Sequence, residues 1–192
     1  MKSLSLKSTS VLAIALIASG VVATATPVSA TQQLPIGTEG KVNFTAGNLT
    51  LDQVPSFDFG TQAITTTSER YDATNEGFVK VTDLRGTDAG WCLTVMASEL
   101  IADGKTLKDA EMTLGSGQVT NSNQENVHMA EARLVPNIAS KVLFAPIGEG
   151  NGESLAHYDK TDVTLFVPGY ATKTSTAEYK ATLTWTLADA PY

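Results

Sequence analysis

Tyr179-Lys-Ala-Thr-Leu-Thr-Trp-Thr-Leu-Ala-Asp-Ala-Pro-Tyr192 alternates apolar side chains with threonines through its centre. Successive side chains on a β-strand point to opposite faces, so Leu183, Trp185 and Leu187 share one face and Thr182, Thr184 and Thr186 the other. The same period of two recurs upstream in Leu49-Thr-Leu51, Phe57-Asp-Phe59, Phe78-Val-Lys-Val81, Trp91-Cys-Leu-Thr-Val95, Ala110-Glu-Met-Thr-Leu114 and Val163-Thr-Leu-Phe-Val167. Short alternating runs divided by Gly, Asn, Asp and Pro clusters indicate an all-β fold, expected as an antiparallel β-sandwich. Their abundant threonines suit a pleated, half-exposed surface. One short helix is compatible with residues 124–132, where Val127 and Glu131 sit one turn apart.

Turn chemistry divides the strands. Gly86-Thr-Asp-Ala-Gly90 reads as a tight loop and Gly115-Ser-Gly117 as a turn, while Asn121-Ser-Asn-Gln-Glu-Asn126 and Gly148-Glu-Gly-Asn-Gly-Glu153 read as longer exposed loops. No long linker interrupts this pattern, so residues 38–192 are expected to form one domain preceded by a short tether, 31–37.

Lys2 and Lys7 precede the apolar run Val11-Leu-Ala-Ile-Ala-Leu-Ile-Ala18, and Val28-Ser-Ala30 offers a small-x-small cleavage site. This is the pattern of a secretory signal peptide over residues 1–30. The run is shorter and more interrupted than the roughly 20 apolar residues of a membrane span, so the mature form is expected to be secreted without one. Processing removes two lysines and no acids: 13 − 2 = 11 basic residues against 20 acidic ones leaves a net charge of −9. Scattered cations on an acidic chain do not make a nucleic-acid footprint. They also disfavour polyanion binding by charge alone, unless a divalent cation bridges the two.

The single Cys92 forms no intrachain disulfide and lies far from the cleavage site, so no lipid anchor is expected. Core burial must hold the fold, and a mature chain of 192 − 30 = 162 residues is long enough to bury about 70% of its unfolded surface. Between Trp91 and Leu93, Cys92 reads as a small packing residue rather than a reactive thiol.

The triplets Trp91-Cys-Leu93 and Trp185-Thr-Leu187 hold the chain's two tryptophans. The later one sits in Y-x-x-x-L-T-W-x-L-x-x-x-P, from Tyr179 to Pro191. Upstream, Leu49-Thr-Leu-Asp-Gln-Val-Pro-Ser-Phe-Asp-Phe-Gly60 contains V-P-x-F-x-F-G, Val81-Thr-Asp-Leu-Arg-Gly86 supplies V-x-D-x-R-G, and Val167-Pro-Gly-Tyr170 a turn before the final strand. In this order, and over essentially the whole mature chain, these segments resemble the WxL domain of Gram-positive cell-surface proteins.

The resemblance implies a secreted, non-catalytic protein attached non-covalently to the peptidoglycan of the cell wall. It equally allows docking onto a membrane-anchored WxL-interacting surface protein, alongside other WxL proteins, for instance by strand addition at a sheet edge. With no further module beside the domain, and with Ala188-Asp-Ala-Pro-Tyr192 in place of an L-P-x-T-G sorting signal, the chain looks like a small stand-alone member. The motif marks Trp91, Leu93, Tyr179, Leu183, Trp185 and Leu187 as binding candidates; as strand residues, they are also an apolar stripe suited to a core. Tyr170 on its turn, Thr184 and Thr186 opposite the stripe, and Arg85 are the exposed candidates. Arg85 beside Gly86 either pairs with Asp83 or caps the turn, with reception of wall carboxylates as the other reading.

Catalysis finds little support. His128 and His157 are the only histidines, and neither neighbours a G-x-S-x-G elbow or a metal-ligand spacing. Asp83 with Asp88, or Glu149 with Glu153, could offer calcium some of its oxygens, but both pairs read as solvated loop acids. No enzyme activity, cofactor or metal site is expected.

Overall fold

A computed structural model describes residues 38–190. The chain divides into two units, Met1–Val42 and Asn43–Tyr192. In the first, the described residues 38–42 are exposed and carry no strand; the second holds all the described strands. The expected signal peptide and tether, and the motif's Pro191, lie outside the described residues. Among the described residues, no helix is long and apolar enough to cross a membrane.

Fourteen described strands, numbered in chain order, build three four-stranded antiparallel sheets and one small hairpin. The first sheet runs β1 (Leu49–Gln53), β3 (Gly77–Asp83), β12 (Gly152–Tyr158), β8 (Gln118–Asn121). The second runs β10 (Ala132–Leu134), β7 (Glu111–Leu114), β13 (Val163–Val167), β2 (Glu69–Asp72), and the third β14 (Leu183–Ala188), β4 (Trp91–Ala97), β11 (Ser140–Ala145), β9 (His128–Met129). β5 (Ile101–Ala102) and β6 (Lys105–Thr106) form the hairpin. The antiparallel, sandwich-like fold expected from the alternation is what the chain adopts.

Inward side chains of all three sheets meet in one core. Val79, Val81 and Ala156 come from the first, Leu114, Leu134 and Val163 from the second, and Trp91, Leu93, Val95 and Val142 from the third. Each large apolar side chain moved from water into such a core contributes roughly 1.5–3 kcal/mol, so the alternating residues of β3, β4, β7 and β13 set which face turns inward. A smaller cluster, Leu107, Leu165, Val167 and Ala171, lies beside it with Tyr179 packed on its rim.

Four sequence expectations need correction. Residues 124–132 form no helix: Gln124 adopts a left-handed φ of 62°, and the Asn121 carboxamide oxygen accepts the N–H groups of Asn123 and Glu125, turning the chain before β9. Phe57 and Phe59 do pack on the core with Asp58 exposed, but their segment is not a strand; Asn75 and Thr74 take up the Asp58 backbone instead. The alternation from Tyr179 to Leu187 becomes a strand only at Leu183, because Lys180 pairs with Ile101 and Thr182 with Ser98 before β14 joins β4. The 148–153 loop is not open throughout, since Gly150 is buried and Asn151 bonds to Asp88 and Glu125.

Candidate functional site

The two tryptophans occupy unlike positions in the same sheet. β4 is a central strand, and Trp91 and Leu93 on it are fully buried at 0% exposure. The Trp91 indole N–H donates to the Gly150 carbonyl at 3.1 Å, satisfying its one donor inside the core. Trp185, on the end strand β14, pairs with Val95 and is half-buried; Leu183 and Leu187 flank it on the same inward face and pack on the core with it. Tyr179 belongs elsewhere: its hydroxyl donates to the Thr172 carbonyl and accepts the Thr174 N–H in the loop beside the smaller cluster.

Thr184 and Thr186 are exposed on the outer face of the third sheet. The register there places Thr186 beside Thr94 and Lys141, Thr184 beside Met96, and Ala188 beside Cys92, Phe144 and His128. A bulge in β11 shapes this row: Val142 is the extra residue, so Val142 and Leu143 both turn inward while Lys141 and Phe144 stay outside. The Lys141 ammonium lies 4.2 Å from the Phe144 ring centroid, and the His128 ring is 5.1 Å from the same ring. Cys92 is sealed at 2% exposure within this layer, and burial raises its thiol above the ordinary value despite the nearby Lys141 charge.

Arg85 is engaged inside the protein. Its guanidinium grips both oxygens of Asp83 at 3.0 and 2.7 Å, and also donates to the carbonyls of Gly90 and Asp189. Asp83 is only 3% exposed. Burial opposes its ionisation, but the Arg85 side chain, backbone N–H and charge outweigh that, and the carboxyl titrates below its usual range. Arg85 thereby ties the β3–β4 corner, with left-handed Gly86 and Gly90, to the chain just past β14. Tyr170 stands 72% exposed on the loop after β13, its hydroxyl bonded to Asp109 at 3.1 Å, apart from the threonine face of the third sheet. The structure thus assembles Thr184 and Thr186 with Phe144, Lys141 and His128, none of which a sequence pattern marks as a binding residue. The bulge that places Phe144 and Lys141 has no period-two signature.

A second feature lies at the sheet edges. β1 ends the first sheet and β14 the third, so among the described residues each has one side without a strand partner. Between them runs a groove of about 740 Å³, lined by Leu49, Thr50 and Leu51 on one side, Leu187, Ala188 and Asp189 on the other, and Arg85.

Among the described residues, groups that could hold a cation are few. Asp83 is taken by Arg85, Glu149 by Asn126 and Glu153 by Lys80, so neither loop pair from the sequence converges on a common point. Glu76, His157 and Asp159 do converge, their ligand atoms all within 4.8 Å of one another. His157 lies 81 positions after Glu76, so no motif spacing announces the group.

In this all-β module Trp91 is buried and Trp185 half-buried, and Thr184 and Thr186 stand exposed on the outer face of β14. The chain belongs to the family of WxL domains, described as surface cell wall-binding, whose model matches residues 7–191. This is a family of wall-binding domains and not of enzymes. No curated protein and no solved structure matches the chain.

Proposed function

We propose that the protein is secreted, non-catalytic and held non-covalently on the Gram-positive cell wall, with the outer face of the third sheet contacting peptidoglycan. One observation carries this reading: the motif strand β14 turns its leucines and Trp185 inward and leaves Thr184 and Thr186 exposed beside an aromatic and cationic row. Hydroxyls offer donors and acceptors to sugar hydroxyl and acetamido groups, and a ring edged by polar groups suits the mixed faces of a sugar. The tryptophans then act by holding this face in shape. Co-sedimentation of the mature protein with purified peptidoglycan tests the reading. The double variant Thr184→Val, Thr186→Val keeps the side-chain shape and strand propensity while removing two hydroxyls, each worth about 0.5–1.5 kcal/mol. Its pelleting should fall about tenfold with folding unchanged, and undiminished pelleting would refute the assignment of the face.

A second reading is favoured by the groove between β1 and β14. Two strand edges, unpartnered among the described residues and lined by the half-buried Leu49, Leu51 and Leu187, suit the addition of an extended segment from a membrane-anchored surface protein or another WxL protein. If this contact alone retains the protein, it pellets with peptidoglycan only in the presence of the partner's ectodomain.

A further inference from the structure

We propose that Glu76, His157 and Asp159 bind one zinc ion on the outer side of the first sheet, with at least one coordination position open to solvent. Glu76 lies in the β2–β3 connection, His157 on β12, and Asp159 directly after it. Each offers one ligand atom, and all three atoms lie within 4.8 Å of one another. The His157 Nε2 to Glu76 Oε2 distance is 3.2 Å. Zinc bonds nitrogen and carboxylate oxygen at about 2.0–2.2 Å, and a tetrahedron with such arms has edges of about 3.4 Å. The imidazole and the first carboxylate thus already stand at zinc-ligand spacing, and the Asp159 carboxylate lies within 4.8 Å of both.

Charge supports a cation here. Two carboxylates face a single imidazole, so the group is negative whether or not the ring is protonated. Glu76 pairs with His157, and Asp159, the N-cap of the 3-10 turn Lys160–Asp162, sets a second carboxylate beside that pair. The framework is also fixed before any ion arrives. The His157 ring stacks on Phe78, with centroids 4.6 Å apart and planes 7° from parallel, and the Asp159 N–H donates to Asp162 Oδ2 at 2.8 Å.

The donor set selects the metal. Calcium and magnesium take oxygen ligands, six or more in number for calcium, whereas one imidazole with two carboxylates suits zinc among the common divalent ions. Three protein ligands leave a position for water or for an anionic oxygen. Such an ion would place positive charge on an acidic protein, and its use at the wall rests on the wall-binding reading above; the site itself does not.

The test is titration of the metal-free mature protein with zinc chloride, followed by calorimetry and thermal unfolding. One ion per chain and a zinc-dependent rise in melting temperature are expected. Glu76→Gln and His157→Gln should each weaken binding at least tenfold, while His128→Gln, on another sheet, leaves it unchanged. Circular dichroism on each variant separates loss of the site from loss of the fold, and the exposed Glu76 gives the conservative variant. No zinc uptake, or full uptake by folded Glu76→Gln and His157→Gln, would overturn the site. Zinc binding by a protein that fails to pellet with peptidoglycan would leave the site intact and sink only the wall reading.

Discussion

At the scale of single residues, the environment of Trp91 explains a glycine that loop composition alone does not. Gly150 has a φ of 88°, and a Cβ there would approach the Trp91 Nε1 to 2.6 Å. Left-handed backbone costs an ordinary residue about 1–2 kcal/mol, and forcing an atom into a packed core adds about 1–3 kcal/mol. Gly150→Ala should therefore lose about 3 kcal/mol in urea unfolding. Gly148→Ala is the control: it has the same φ of 88° but open space around the added atom, so only the backbone component, about 1 kcal/mol, should appear. Tyr158 gives the opposite sign. It is 1% exposed with its ring edge-on to Phe57, burial pushes its hydroxyl well above the ordinary value, and among the described residues that hydroxyl has no hydrogen-bond partner. Leaving a buried hydroxyl unsatisfied costs about 1–3 kcal/mol, so Tyr158→Phe should raise the melting temperature by a few degrees. A fall would reveal a buried water or another partner for the hydroxyl.

Between elements, the Asp83–Arg85 clamp joins the end of β3, the start of β4 and the chain leaving β14. Replacing Arg85 by Met strands a buried carboxylate, which costs about 3 kcal/mol. In the wild type, Asp83 titrates below its unfolded value of about 3.9. Its contribution is therefore complete above that pH and is lost as the pH falls through the lower folded value. In Arg85→Met the uncompensated burial raises the same pKa, so acid relieves the variant's penalty. Unfolding measured from pH 7 to pH 3 should show the gap between the two proteins narrowing; a constant gap would mean that the guanidinium stabilises by packing alone. This pair was legible in the sequence because its partners are two positions apart. Strict alternation likewise marked β1, β3, β4, β7, β13 and β14. β11 escaped because its bulge sets Val142 and Leu143 inward together, and β12 because its inward positions are Ser154, Ala156 and Tyr158, which have no apolar signature. Phe57 and Phe59 misled in the other direction, since burial on alternate positions needs no ladder partner. The row of Phe144, Lys141 and His128 depends on register between distant strands, a property that no local pattern encodes.

Across the whole molecule, charge and recognition point in opposite directions, and ionic strength separates them. The mature chain expected after processing carries 11 basic and 20 acidic residues, while peptidoglycan stem peptides and wall polymers are also anionic. Long-range forces between them are repulsive. A cationic wall binder would gain from counterion release and lose affinity steadily as salt rises. For this chain the expected contact consists of threonine hydroxyls and a phenylalanine ring, which salt hardly screens, and the repulsion is what salt removes. Raising sodium chloride from 0.01 to 0.1 M shortens the screening length from about 30 to about 10 Å. The fraction pelleted with peptidoglycan should accordingly hold steady or rise across that range. Steady elution by salt would instead assign the attachment to the Lys141 ammonium on the same face. Replacing Lys141 by Gln separates the two outcomes: retention with an unchanged salt profile keeps the hydroxyl and ring contacts as the source of binding, and loss of both retention and salt dependence transfers it to the cation.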